Sequence, residues 1–584
     1  MSSWSCAPSS AARIYRRPGQ PPPRTVSWTG CSTTRAVEAG ADNRMLKKSL
    51  AWTFTILLAL TAAGLLYARQ LYARQLSQQL FPPQAAVALD SAPRCAGAAL
   101  RAPTNVRISG VSRHRFPAAH CKVAGVIEDE INFELLLPED WNGKYVMGGG
   151  GGFVGSVVNT AVYFGALQSG YATSGTDTGH RGHGVDASWA LDNPRRVENF
   201  GHRAVHLTAV ASKALVDSYY GQPSRRNYFI GCSRGGGQAL MEAQRYPRDF
   251  DGIVAGAPAY NWHLGIGANA TQIVQAQFPD PDDLEQALVT PADQALIARS
   301  YLARCDAADG IEDGILAHPP DCDFDVAELA CSADRQDDCL SAAKVQAMRR
   351  IYEGPEIDGE NVWPGFPLGG ETSPAGMSMW LTGGLRYARE AGYPRADAGF
   401  AAPLVPNASY AFGTGVMKYF VFNDAQWDYA SYDFTGFTAD TAATARTLNA
   451  TDPDLSAFRA RGGKLLLFHG WSDMALSAHG TIDYYRAALA HDPGAEADLR
   501  LYLLPGMDHC FGGAGPFYVN YLTEIDRWVE SGQAPGPLQA HWMKAFVLPS
   551  GSRLACPYPQ RARYDGSGDT RDAASFRCHT PALH

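Results

Sequence analysis

Apolar positions along this 584-residue chain fall into short runs separated by longer mixed stretches, and the spacing changes twice. Between about residues 95 and 260 the runs are strand-length. Asn132-Phe133-Glu134-Leu135-Leu136-Leu137 and Tyr145-Val146-Met147 read as strands, the second ending on glycines. Asn227-Tyr228-Phe229-Ile230 and Gly252-Ile253-Val254-Ala255-Gly256 read the same way, with a helical stretch from Gln238 to Arg245 between them. Strands alternating with helices predict a parallel sheet covered by helices. From about 262 to 450 the alternation is lost, and Asp, Pro, Cys and aromatic residues become frequent. It resumes at Lys464-Leu465-Leu466-Leu467-Phe468-His469-Gly470 and again at Leu499-Arg500-Leu501-Tyr502-Leu503-Leu504. The pattern predicts an α/β core in two parts, residues 81–260 and 456–584, interrupted by an inserted domain over residues 261–455.

The first 80 residues follow another pattern. Residues 1–44 are rich in Pro, Ser, Thr and Arg without apolar periodicity, and are expected to be disordered or untranslated, Met45 offering a second start. In residues 45–80, Lys47 and Lys48 precede an apolar run from Leu50 to Ala68. A positive flank before such a run predicts a signal peptide or a membrane anchor through residues 50–68, with a buried core helix as the alternative. The repeat Leu66-Tyr67-Ala68-Arg69-Gln70, Leu71-Tyr72-Ala73-Arg74-Gln75 reads as a helical stalk. Either favoured reading makes the remainder periplasmic or secreted, free or anchored. Ten of the 12 cysteines lie beyond residue 90, an even set that suits an oxidising compartment and a disulfide framework. The net charge of −8 and the lack of a basic stripe exclude nucleic acid as a partner.

The chemistry centres on Gly231-Cys232-Ser233-Arg234-Gly235, a G-x-S-x-G pattern with a strand before it and a helix after it, the context of a nucleophile elbow. The flanking glycines permit the tight turn that exposes the serine. In this fold the triad runs serine, acid, histidine. His509, after the strand ending at Leu504, is the candidate base; Asp473, after the strand ending at Phe468, is the candidate acid. His469 and Asp508 are the competing histidine and carboxylate. Cys232 precedes Ser233 and Cys510 follows His509. Serine and base must lie within hydrogen-bond reach, so the two cysteines are expected to form a disulfide. The glycine run 148–152 resembles the loop that gives one oxyanion-hole amide, and the Arg234 amide would give the other. These features predict an α/β-hydrolase core with a large inserted lid domain.

A second constellation is the segment Cys305-Asp306-Ala307-Ala308-Asp309-Gly310-Ile311-Glu312-Asp313-Gly314-Ile315. Four carboxylates at short spacing with turn-forming glycines suit calcium, which takes six to eight oxygens including carbonyls. A disulfide between Cys305 and Cys322 would close this loop, and its place in the insertion makes the ion structural.

Together these motifs, with Gly252-Ile253-Val254-Ala255-Gly256-Ala257-Pro258, Pro505-Gly506-Met507-Asp508-His509-Cys510 and Cys556-Pro557-Tyr558-Pro559, resemble the tannase and feruloyl esterase family over about residues 95–580. The resemblance implies a Ser233, Asp473, His509 triad with Gly152 and Arg234 amides in the oxyanion hole. It implies calcium held by the side chains of Asp306, Asp309 and Asp313 and the carbonyls of Ile311 and Ile315. It also implies disulfides Cys95–Cys121, Cys232–Cys510, Cys305–Cys322, Cys331–Cys339 and Cys556–Cys578, leaving Cys6 and Cys31 outside the fold. Trp380, Tyr410 and Phe412 are candidates to line an aromatic-acid pocket, and Lys418 is the cation of the lid stretch 406–420. The expected function is an exported serine carboxylic ester hydrolase acting on small aromatic or phenolic esters. Acyl transfer through the same triad and a non-catalytic binding protein are the alternatives. Oligomeric state is not legible in the sequence.

Overall fold

The computed structural model describes residues 82, 84–89, 95, 100–396, 399–544 and 548–581. The expected signal or anchor segment, and Cys6 and Cys31, lie outside the described residues. Among the described residues, no helix is long and apolar enough to cross a membrane.

The centre is one nine-stranded sheet. Its strands are β1 Val106–His114, β2 His120–Ile127, β3 Ile131–Pro138, β4 Lys144–Gly148, β5 Ala172–Thr176, β6 Arg226–Cys232, β7 Gly252–Gly256, β8 Lys464–Gly470 and β9 Leu499–Leu504. They lie in the order β1-β2-β3-β5-β4-β6-β7-β8-β9. The first three and the β3–β5 pair are antiparallel; from β5 to β9 every pair is parallel. Burial explains the sequence pattern. In β4, β5 and β7 every residue is buried, as expected for strands covered on both faces. β3 alternates between buried and half-buried positions. Two apolar clusters occupy the two faces, one holding Leu465 and Leu467, the other Leu466 and Phe468 of the same strand.

Residues 257–463 leave the sheet after β7 and return at β8, which pairs directly with β7. This insertion carries its own apolar cluster, including Ile297, Tyr301, Met348 and Ile351, into which Met474 of the core is packed. A further cluster joins Phe153 and Phe200 of the core to Trp262, Val416 and Leu448 of the insertion.

The crossover from β6 into helix α1, Arg234–Arg245, is built on glycine. A Cβ at Gly236 would lie 2.2 Å from the Gly256 carbonyl oxygen, and one at Gly237 would lie 2.0 Å from that of Ala259. The helix thus rests on the backbone that follows β7, which fixes the height of the turn before it. Gly236→Ala is expected to cost about 2–3 kcal/mol by overpacking. A lowered urea midpoint with an unchanged slope checks this.

Candidate active site

Ser233 lies between the last residue of β6 and the first of α1, with φ 61° and ψ −125°. A non-glycine residue in this region is strained and has to be held by its surroundings. The Ser233 amide donates to Gly256 O at 3.0 Å, and its carbonyl accepts from the amides of Ala259 at 2.9 Å and Gly237 at 3.1 Å. Beneath the turn, a Cβ at Gly231 would meet the Gly235 backbone at 2.5 Å, so the motif closes only with glycine there.

Asp473 follows β8 and His509 follows β9. His509 Nδ1 lies 2.7 Å from Asp473 Oδ2. The other oxygen of Asp473 accepts the amides of Ala475 at 2.8 Å and Leu476 at 3.0 Å. His469 also reaches Asp473, its Nε2 lying 3.1 Å from Oδ2, while its Nδ1 meets Thr481 Oγ1 at 2.7 Å. Burial opposes ionisation of Asp473, but His509 and His469 outweigh it and hold the carboxyl below the usual carboxylate range. Its stabilising contribution is therefore present above an unfolded value of about 4 and is lost as pH falls toward the folded one. His509 Nε2 is buried and has no hydrogen-bond partner among the described residues, so the hydrogen bond to Ser233 expected of a serine and its base is not formed in this structure, although both residues line the same cleft.

Cys232 and Cys510 form a disulfide with Cα atoms 5.9 Å apart, across 278 residues of sequence. Cys510 itself has φ 67°, and Cys232 directly precedes Ser233, whose φ is 61°, so the bridge ties together the two strained turns. The other four expected pairs, Cys95–Cys121, Cys305–Cys322, Cys331–Cys339 and Cys556–Cys578, are also formed.

Ser233, His509, Gly152 and Arg234 line one cleft. Gly152 has φ 53°, and a Cβ there would lie 2.2 Å from Gly184 O, so this position excludes a side chain. The glycine loop is anchored by Gly149 N–H to Ile230 O at 2.9 Å and Gly150 N–H to Gln238 Oε1 at 3.0 Å. The Arg234 amide is the first of α1, among the four N–H groups of a helix without an intrahelical acceptor. The Arg234 side chain is fully buried. Its guanidinium donates to the carbonyls of Phe200 and Gly201 and lies 4.3 Å from the Phe200 ring centre and 5.2 Å from that of Trp262. Burial lowers it to about 9.

Trp380 and Phe412 line the cleft, as expected for an aromatic pocket. Tyr410 does not; it packs edge-on to Tyr429, with ring centres 5.8 Å apart, in a separate cluster. Lys418 is also absent from the lining. Sequence reasoning missed Trp262, Ile266 and Ser409, which complete the walls together with Leu476. They come from the aperiodic insertion, where no pattern marked them.

In the acidic loop, Asp306 accepts the Gly314 amide at 3.0 Å, Asp309 accepts the Ile311 amide at 3.0 Å, and Asp313 pairs with Arg553 at 2.6 Å. Burial raises the Asp309 pKa, and the charges of Asp313 and Asp306 add to the rise. Among the described residues, the three His or carboxylate groups that converge within 4.8 Å lie elsewhere: His206, Glu242 and Asp249. There Lys213 Nζ already sits 3.0 Å from Asp249 Oδ1, so a cation is built into that cluster.

The family model described as tannase and feruloyl esterase matches residues 117–579. The chain belongs to this family. It is 35% identical to the mono(2-hydroxyethyl) terephthalate hydrolase of Piscinibacter sakaiensis, over 79% of this chain and 85% of that protein. The structure of feruloyl esterase B from Aspergillus oryzae superposes with a TM-score of 0.70 at 26% identity, covering 82% of this chain and 97% of that one. Tannin acyl hydrolase from Aspergillus niger shares the fold, with a TM-score of 0.60 at 21% identity over 86% of this chain and 94% of that one. The chain is thus a carboxylic ester hydrolase with an α/β-hydrolase-type fold.

Opening the 232–510 bridge frees both loops. The double variant Cys232→Ser, Cys510→Ser is expected to lose at least about tenfold in kcat, by the cost of misplaced reacting groups. Its Tm is expected to fall as well. Kinetics and calorimetry on the same sample check both.

Proposed function

We propose that this protein is an exported serine esterase that cleaves esters of aromatic or phenolic acids through an acyl-enzyme on Ser233. The observation that carries the reading is the state of His509. Its Nδ1 is held by Asp473, and its Nε2 is left without a partner in the cleft that Ser233 shares. A base so oriented, with its other nitrogen unengaged, suits proton transfer from a serine hydroxyl.

In the proposed sequence, the Ser233 Oγ–C bond to the ester carbonyl forms as His509 Nε2 takes the hydroxyl proton. The carbonyl oxygen becomes an oxyanion held by the amides of Gly152 and Arg234. Collapse breaks the bond to the alcohol, which leaves with the proton from His509. Water then repeats the steps, giving its proton to His509 and releasing the acid and Ser233. Asp473 stays ionised and supports the imidazolium. The walls formed by Trp262, Trp380 and Phe412 favour a flat acyl group. Export is supported by five disulfides, which persist in oxidising compartments.

We assign calcium to the acidic loop. The donors are all oxygen, burial raises Asp309 with the charges of Asp313 and Asp306 adding to it, and the Cys305–Cys322 disulfide closes the segment. Asp306, Asp309 and Asp313 side chains and the Ile311 and Ile315 carbonyls would hold it. A bound ion would offset their repulsion and brace the insertion where Arg553 meets Asp313.

Hydrolysis of gallate, ferulate, hydroxybenzoate, terephthalate half-ester and short aliphatic esters, with Ser233→Ala as control, tests the reaction. Turnover of an aromatic ester is expected, falling by at least about 10³-fold in the variant. Turnover that survives Ser233→Ala, or none by folded protein, contradicts the reading. A chelator is expected to lower the Tm by several degrees, restored by added calcium, and an unchanged melting curve counts against the ion.

A further inference from the structure

Asp508, next to His509, is 2% exposed and plays no part in the mechanism above. Its Oδ2 accepts a hydrogen bond from Ser373 Oγ, 135 residues away in the insertion. Its Oδ1 is buried without a hydrogen-bond partner among the described residues. Ser373 begins a tight turn, its carbonyl accepting the Gly376 amide at 2.9 Å, and the Gly376 carbonyl accepts the Trp380 amide at 3.2 Å. The Trp380 indole stands edge-on to the His509 imidazole, ring centres 4.9 Å apart and planes at 72°. The circuit closes on itself, running from Asp508 through Ser373 and the turn to Trp380 and back to His509. The same lid segment rests on the acid loop, since a Cβ at Gly370 would lie 2.5 Å from Ser472 O. The segment therefore touches both functional loops, and Asp508 ties it to the histidine loop by a side-chain hydrogen bond.

We propose that Asp508 is a positioning residue: through Ser373 it seats the lid turn that carries Trp380 against His509, and it does so most firmly when ionised. The inference rests on the esterase reading for its kinetic consequence but not for the tether itself. A hydroxyl donating to a carboxylate makes a stronger bond than one donating to a neutral acid. Burial pushes the Asp508 carboxyl up to about 6; the Ser373 bond opposes this, Asp473 adds to it, and His509 opposes it. The charged groups facing Asp508 are thus Asp473 and His509. Glu371, on the lid segment itself, is engaged by Tyr301, Tyr352 and the Gly369 amide.

The sign of the linkage separates positioning from bulk stability. A carboxyl whose folded value is raised costs folding stability as pH rises from about 4 to about 6. Asp508→Asn removes that cost and keeps an acceptor for Ser373. It should therefore melt no lower than the parent at pH 8, yet it lacks the charge that tightens the seat.

The experiment measures kcat and KM for an aromatic ester from about pH 5 to 8 in the parent, Asp508→Asn and Ser373→Ala, with Tm for each. The parent is expected to lose kcat over two protonations on the acid side, Asp508→Asn over one. Both variants are expected to show plateau kcat lowered about tenfold, the cost of a lost charge-assisted hydrogen bond, with KM changed less. A pH profile of Asp508→Asn superimposable on the parent, or parental kcat in Ser373→Ala, overturns the proposal. Amide hydrogen exchange over residues 371–380 reads the tether without substrate. Faster exchange in Ser373→Ala at pH 8 supports it, and equal exchange overturns it even if no ester is turned over. Inactivity of the parent with faster exchange in that variant would instead count against the esterase reading alone.

Discussion

The covalent tie between Cys232 and Cys510 is the constraint on which the site depends. Ser233 leaves the sheet at β6 and His509 at β9, and the chain between them passes through the whole insertion. Hydrogen bonding of β7 to β8 aligns the two parts of the sheet, but it does not fix loops beyond the strand ends. The disulfide does so at the positions adjoining both residues. By chain entropy alone, closing a loop of 278 residues is worth about 5–6 kcal/mol against the unfolded state. The gain is also geometric. Ser233 and Cys510 both hold positive φ, and a bond between Cys232 and Cys510 lets each strained turn support the other.

Around that tie the core supplies the polar groups and the insertion supplies the walls. Asp473 reaches His509 from β8, Gly152 faces the cleft from the loop after β4, and Arg234 opens the helix after the serine. Trp262, Trp380 and Phe412 close the space from the other side. Arg234 also belongs to the wall from behind. Its guanidinium packs against Phe200 and Trp262 and donates from one nitrogen to two backbone carbonyls. The tether from Asp508 to Ser373 makes the same division of labour local, with a core carboxylate holding a lid turn against the core histidine.

The strands rich in Val, Ile and Leu were legible because burial on both faces demands such runs. β5, Ala172–Thr176, was not, because its small and polar residues are buried by their neighbours rather than by their own hydrophobicity. The helix after Ser233 was placed too late, at Gln238, because three glycines with poor helix propensity open it. Close backbone packing, not propensity, selects them. The two loops and the disulfide were readable because each functional residue has a cysteine at its side. Trp262, Ser409 and the Asp508–Ser373 contact were not, since each depends on how an aperiodic insertion folds back on the core. The acidic loop was recognisable by composition, but its carboxylates are satisfied in part by amides and by Arg553, a partner 240 residues away.

The central claim is that one serine, activated across a disulfide-held pair of loops, does the chemistry. Labelling with a fluorophosphonate, followed by peptide mapping, tests it most directly. The account predicts one adduct, on Ser233, formed with the bridge intact and slowed when the bridge is reduced under conditions that leave the fold in place. Adduct formation at another residue, or a labelling rate indifferent to the state of Cys232 and Cys510, would contradict it.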